Sequence, residues 1–183
     1  RIMELRKQCN SENLKLTDNP KELRQSIFHI IAVPTPVDNH CTPDFSPLVD
    51  ASMTLGMNLK SGSVVVYEST VYPGATEEIC VPVIEKCSGL KCGKDFFVAY
   101  SPERINPSDE YHTLKNIAKI VAGMNTYTTK IVKKMYELIV DRMIPVSSIR
   151  TAEAVKLVEN CQRDVNIAFM NEISILLREM GLN

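Results

Sequence analysis

Lys156 and Asn160 are the residues of this sequence best suited to chemistry on an oxygen atom. They lie in the stretch from Thr151 to Asn183, which has no proline and whose only glycine, Gly181, stands near its end. At about 100° per residue, Lys156, Asn160, Arg163 and Asn171 would share one helical sector roughly 80° wide. On the residues alone, that polar row has two readings. One is a solvated face on which Glu159 and Arg163 form an ordinary ion pair. The other aims Lys156 and Asn160 into a site, as a cation and an amide that stabilise a developing oxyanion.

A second set of candidates is spread along the chain. Thr35 lies in Val33-Pro34-Thr35-Pro36, Ser69 and Thr70 in Glu68-Ser69-Thr70, and Glu103 and Arg104 in Ser101-Pro102-Glu103-Arg104. Each follows a short run of branched or aromatic residues: Ser26 to Val33, Ser63 to Tyr67, and Phe96 to Tyr100. Such runs read as buried parallel strands. Proline cannot continue a central strand, so the chain leaves the sheet where these loops begin. Ligands of open α/β sheets bind beyond the carboxyl ends of the strands. One sheet edge would therefore collect Thr35, Ser69, Thr70, Glu103 and Arg104. Taken singly, each also has a plainer reading as a strand stop, a turn former or a cap.

Other elements must hold these strands in place. Residues 1–8 read as an amphipathic helix, Leu14 to Thr17 as a short strand, and Asp18-Asn19-Pro20 as the start of a brief helix to Gln25. Longer helices are expected over Asp44 to Lys60, over Thr76 to Lys86 after a Pro73-Gly74 type II turn, and over Thr128 to Val140. Ile117 to Met124 reads as a further strand, and Pro145 to Ile149 as the lead into the long helix. In that helix Ala152, Val155, Val158, Val165, Ala168, Phe169, Ile173, Leu176, Leu177 and Met180 recur mostly at spacings of three and four, an apolar stripe. The alternation predicts an α/β fold: a doubly wound, Rossmann-like parallel sheet, after which the long helix begins a second domain.

Composition narrows the function classes. The chain has 183 residues, 44% of them hydrophobic, and a net charge of −1. That balance gives no electrostatic argument for nucleic acid or a membrane surface. No apolar run approaches the roughly 18 residues that span a bilayer. The first residue is arginine and no signal peptide is recognisable, so an excised segment of a cytoplasmic protein is expected. Six cysteines are scattered without metal-ligand spacing and are expected to be reduced. Cys161 reads as a core thiol, about 100° round the helix from Asn160 and with no base placed to activate it.

Four ordered motifs closely resemble the UDP-glucose/GDP-mannose dehydrogenase family. They are Val33-Pro34-Thr35-Pro36; Glu68-Ser69-Thr70 with Pro73-Gly74-Ala75-Thr76; Ser101-Pro102-Glu103-Arg104; and Ala154 to Asn160, continuing to Asn171-Glu172. The resemblance implies oxidation of the C6 hydroxyl of a nucleotide sugar to a carboxylate, with NAD as cofactor in two successive hydride transfers. Thr35, Ser69 and Thr70 would line the cofactor side of the cleft. Glu103 would position water or assist proton transfer, and Lys156 and Asn160 would hold the C6 oxygen. Glu103, Arg104 and Arg163 would contact substrate. The form of the Ser101 to Arg104 loop is similar to the branch acting on UDP-N-acetylhexosamines for surface polysaccharide synthesis. UDP-N-acetylglucosamine is then the first choice of substrate and the mannosamine epimer the second. A homodimer built on the long helix is implied as well. The family's layout would make residues 1–148 the later part of an NAD-binding domain lacking its first strands. Residues 149–183 would begin an all-α central domain.

Two departures from the family pattern stand out. None of the seven glycines forms the Gly-x-Gly-x-x-Gly dinucleotide fingerprint. The family's nucleophilic cysteine, in a Gly-Gly-x-Cys context, is not in the sequence either. A rival reading is therefore a non-catalytic binding or assembly module that keeps the fold and the dimer helix. The expectation is that this chain by itself turns over no substrate and binds NAD weakly at best. Incubation with NAD and UDP-N-acetylglucosamine should give no rise in reduced-cofactor absorbance. Sustained NADH production would place the essential residues inside the chain after all.

Overall fold

The computed structural model of the chain describes residues 15–40, 42–104 and 115–182. The expected helix over 1–8 lies outside them, as do Leu14 of the expected first strand and two of the six cysteines, Cys9 and Cys41. Residues 15–17, the rest of the expected first strand, are irregular.

Among the described residues five strands form one sheet in chain order: β1 (Phe28–Ile31), β2 (Ser63–Tyr67), β3 (Phe96–Tyr100), β4 (Lys119–Gly123) and β5 (Met143–Pro145). Four α-helices accompany them among the described residues, α1 (Ser46–Gly56), α2 (Val81–Ser88), α3 (Thr126–Tyr136) and α4 (Ile149–Glu179), and the expected brief helix is a 3-10 helix, Pro20–Gln25. The apolar runs predict β2 and β3 at their observed bounds. They miss β5, whose three residues give no periodic signal.

The sheet is parallel from β1 to β3 and again from β4 to β5, but β4 pairs antiparallel to β3. An all-parallel sheet is the sequence expectation, and local contacts account for the difference. The Ser101 hydroxyl, just past β3, donates to the carbonyl of Ile120 at 2.7 Å. Lys119 Nζ reaches back to the carbonyls of Ser101 and Pro102. The start of β4 is thus tied to the end of β3, which requires the chain to reverse.

Two apolar layers cover the sheet, as double winding requires. Leu48, Leu55, Ile84, Ile149 and Ala152 of α1, α2 and α4 pack on Val65, Tyr67, Phe96, Val98 and Tyr100. Val132 and Tyr136 of α3 pack on Val64, Val66, Ala99 and Val121 of the other face. Fully burying a side chain of this size stabilises the fold by about 1.5–3 kcal/mol. Close packing also dictates one residue type. A Cβ on Gly123 would stand 2.5 Å from the backbone nitrogen of Thr129, so α3 can follow β4 this tightly only with glycine there.

The turn before α2 takes its shape from two residues. Gly74 has φ +104, and the Ala75 N–H closes the turn on the Tyr72 carbonyl at 3.1 Å. Thr76–Cys80 then forms a π-helical turn. Pro82 has no N–H to give to the preceding turn, and the Val81 N–H bonds to the Thr76 carbonyl in the wider pattern.

Helix α4 is capped by Ser148, whose side chain accepts from the Thr151 N–H. Its first turns belong to the sheet core. Glu153 is fully buried there, accepting the N–H of Gly74 at 2.5 Å and that of Thr76 at 3.0 Å. Arg150, one turn earlier, pairs with Glu77 and Glu78 at the surface. Beyond Asn160 the helix is almost wholly exposed, with Val165 at 66% and Phe169 at 60%. Among the described residues no helix is long and apolar enough to cross a membrane.

Glu153→Gln should destabilise the fold by about 2 kcal/mol, because an amide offers only one oxygen to two buried N–H donors. Urea unfolding is the measurement. An unchanged midpoint would mean that these two bonds do not anchor the helix.

Candidate functional site

The loops after β1 and β2 are fastened to each other. The Ser69 hydroxyl donates to the Val33 carbonyl at 2.7 Å and accepts the Val33 N–H at 3.1 Å. The Thr35 hydroxyl donates to the Thr70 carbonyl at 2.8 Å. Tyr100, buried at the end of β3, donates to the Ser69 carbonyl at 3.0 Å. Thr35, Ser69 and Thr70 are therefore brought together as one polar rim beyond the carboxyl ends of β1 and β2. Ser69 is buried and works as a clasp, Thr35 is half-buried, and Thr70 is exposed.

The loop after β3 meets helix α4 along the same edge. Lys156, half-buried, donates from Nζ to the Glu103 carbonyl at 2.6 Å. Burial is the main cause that lowers its pKa from the ordinary lysine value. Glu159 and Glu103 oppose that shift, while Arg163 and Arg104 add to it. Arg104 binds Glu159 through Nε and Nη2, the shortest contact being 2.6 Å, and its Nη1 donates to the Ala118 carbonyl at 2.9 Å. Such a forked pair fixes direction as well as distance. The Glu103 side chain accepts its neighbour's N–H, from Arg104. One turn beyond Lys156, the Asn160 carboxamide accepts from Arg163 at 2.6 Å.

The expected Glu159–Arg163 ion pair is thus replaced by one ion pair and one hydrogen bond to an amide. Glu159 faces the sheet and takes Arg104, while exposed Arg163 holds the amide of Asn160. Lys156 and Asn160 do share one face, and Lys156 reaches the Glu103 loop from it. Cys161 corrects another expectation: it is exposed rather than in the core, beside Leu157, Val158 and Val165. Buried Cys80 and half-buried Cys92 lie against the sheet core. Burial pushes Cys80 and Cys92 up to about 11, so both are protonated at neutral pH.

Sequence reasoning missed a buried polar cluster behind the site. Glu68 sits in a quoted motif but was given no role there. Its carboxylate takes the Lys119 ammonium at 2.9 Å and the Tyr136 hydroxyl, in a short hydrogen bond. The same ammonium lies 5.0 Å over the Tyr136 ring. Burial, with Glu68 next in effect, raises the Tyr136 pKa far above the ordinary phenol value, so its hydroxyl remains a donor. The one signal available was a lysine opening an otherwise apolar strand, and a surface strand end gives the same pattern. Glu153 was missed for a similar reason, since a glutamate early in a helix reads as solvated.

A cleft of about 490 Å³ lies between the starts of α3 and α4, lined in part by Gly123, Asn125, Lys130, Lys133 and Ser148. Its lining holds none of Thr35, Ser69, Thr70, Glu103, Arg104, Lys156, Asn160 and Arg163. Since β4 runs against β3, this cleft opens at the far end of β4, away from the Glu103 loop.

The rim suits part of a dinucleotide. Hydroxyl and carbonyl groups are clasped at the strand ends, where α/β folds hold such ligands. A glycine-rich pyrophosphate cradle is not among these residues.

Fold and rim together define a Rossmann-like α/β protein with a helical extension that carries a lysine to the strand ends. Residues 2–140 match the model of the UDP-glucose/GDP-mannose dehydrogenase family, NAD binding domain, and residues 150–183 match that family's central domain. The chain belongs to the UDP-glucose/GDP-mannose dehydrogenase family. It is 53% identical to Protein CapL of Staphylococcus aureus, over 93% of this chain and 41% of the relative. It is 48% identical to a UDP-N-acetyl-D-glucosamine 6-dehydrogenase of Pseudomonas aeruginosa, over 94% of this chain and 41% of that protein. The solved UDP-D-ManNAc dehydrogenase of Pyrococcus horikoshii superposes with TM-score 0.84 at 37% identity, covering 92% of this chain and 40% of that one. The chain thus spans about two fifths of the length of these relatives.

Proposed function

We propose that this chain is part of an NAD-dependent dehydrogenase that oxidises the C6 hydroxyl of a UDP-N-acetylhexosamine to a carboxylate in two hydride transfers. The observation that carries the reading is the Lys156 ammonium, desolvated and brought by α4 to the Glu103 carbonyl. UDP-N-acetylglucosamine is the first choice of substrate, since the Pseudomonas relative carries that name. Protein CapL, by its name, is in keeping with a role in surface polysaccharide synthesis.

Residues 1–148 would serve as part of the cofactor domain and 149–183 as the start of the central one. NAD, when bound, accepts the hydride that leaves C6. Thr35, Ser69 and Thr70 form the rim on its side. Lys156 keeps one N–H on the Glu103 carbonyl and turns another to the C6 oxygen, and Asn160 adds an N–H donor once its amide meets that oxygen. Both stabilise charge that builds as the proton leaves. Glu103 orients water or carries the proton. Arg163 is exposed and available to a substrate phosphate. Arg104 is committed to Glu159, so its part is to shape the substrate wall. Free thiols at Cys80, Cys87, Cys92 and Cys161 suit a reducing cytoplasm.

The reading includes a homodimer. Exposed Val158, Val165, Phe169 and Leu176 lie along α4, and an apolar face of that length is normally covered by another chain or domain. Sedimentation of the complete protein at micromolar concentration should show a dimer, and monomer alone would overturn this part.

The test of the chemistry is Lys156→Ala in the complete enzyme. One lost oxyanion donor costs on the order of 3 kcal/mol, so turnover should fall about 100-fold while NAD affinity changes little. Steady-state kinetics with UDP-N-acetylglucosamine measures both. Near-normal turnover would return Lys156 and Asn160 to a solvated face, and a complete protein that makes no NADH would favour the binding module.

A further inference from the structure

Three successive carbonyls of the loop after β3 are held by two lysines. Lys119 Nζ takes those of Ser101 and Pro102, each at 3.2 Å, and Lys156 Nζ takes that of Glu103 at 2.6 Å. The two ammonium groups differ in freedom. Lys156 is half-buried and reaches the strand-end rim. Lys119 is 2% exposed, anchored to Glu68 at 2.9 Å and stacked over Tyr136.

Stability alone does not account for a lysine at position 119. A buried ion pair is often no better for stability than apolar residues of the same volume. What the ammonium supplies is three N–H bonds diverging from one point. One goes to Glu68, and two go to carbonyls that lie past the end of β3 and so outside its ladder. Ser101 and Pro102 are both buried, so those oxygens need a donor from within the protein.

We propose that Lys119 is a positioning residue for the dehydrogenase reaction: it sets the Ser101–Glu103 backbone so that the Glu103 carbonyl aims Lys156 at the reacting oxygen. This rests on the functional reading given above. Glu68 neutralises Lys119, and the Tyr136 hydroxyl donates to the same carboxylate oxygen, Oε1. Releasing Lys119 would let the loop relax, and Lys156 would lose its aim while keeping its charge.

The test separates aim from folding. Lys119→Met alone leaves the Glu68 carboxylate buried and unpaired, which lowers stability for a trivial reason. Lys119→Met with Glu68→Gln removes both charges at nearly constant volume, and should melt close to the unmodified enzyme. In the complete enzyme this double variant should still lose about 100-fold in kcat, with KM for NAD and for UDP-N-acetylglucosamine within about twofold of normal. A double variant that turns over at the normal rate overturns the proposal. So does one that fails to fold, since the role would then be structural. An unmodified complete enzyme without activity would sink the functional reading itself and take this proposal with it.

Discussion

A fully buried carboxylate, Glu153, is the constraint on which the rest of the site depends. Its two oxygens receive the N–H groups of Gly74 and Thr76, at the turn that opens the helical stretch after β2. Those N–H groups have no partner within a helix that begins there, and a negative group suits the positive end of the peptide dipoles. Once this contact is made, the rotation of α4 about its axis is set. Helical periodicity then carries Lys156, one turn on, and Glu159, two turns on, to the same side. Lys156 meets the Glu103 carbonyl there and Glu159 meets Arg104. Gly74 takes part in two ways, since its positive φ makes the turn and its N–H makes the bond.

The reversal of the chain between β3 and β4 has a chemical consequence. In a parallel continuation, the residues after β3 would leave the sheet edge through a crossover. Here β4 starts beside the end of β3, so its first residue, Lys119, lies directly behind the loop that carries Glu103 and Arg104. The Ser101–Arg104 segment is held from two directions. Lys119, which opens β4, and Ala118 just before it hold it from one side, and Lys156 and Glu159 hold it from α4. A loop fixed in this way can present a carbonyl at one position without backbone strain.

Much of the fold was legible because its signals are local. Five branched or aromatic residues bounded by polar ones locate β2 and β3, and Pro34 and Pro36 mark where the chain leaves the sheet after β1. The shared face of Lys156 and Asn160 follows from periodicity alone. What was not legible depends on contacts between residues far apart in sequence. Glu68 and Lys119 are paired across 51 positions, Glu153 and Gly74 across 79, and Glu159 and Arg104 across 55. From sequence, Glu159 has a nearer partner in Arg163 at helical spacing, and that local pair loses to the forked contact with Arg104. An exposed i,i+4 pair contributes only about 0.3–0.5 kcal/mol, which a half-buried forked pair readily exceeds.

Helix α4 changes environment along its length, and the candidate residues stand at the change. Ile149, Ala152 and Glu153 are buried in the sheet layer, whereas Cys161 and nearly all that follows is exposed. Lys156, Glu159 and Asn160 are half-buried between the two. A group that must stabilise developing charge gains from low polarity on one side and needs an opening on the other. Deeper in the helix, a lysine would require a permanent partner, as Lys119 has in Glu68. Further out, its charge would be screened by water and its aim lost to rotamer freedom. Lys156 lies where burial lowers its pKa, and its hydrogen bond to the Glu103 carbonyl uses one N–H of the three an ammonium carries. The same helix carries an apolar face outward from that point. In the proposed dehydrogenase, a change at that apolar face would reach Lys156 through one continuous helix.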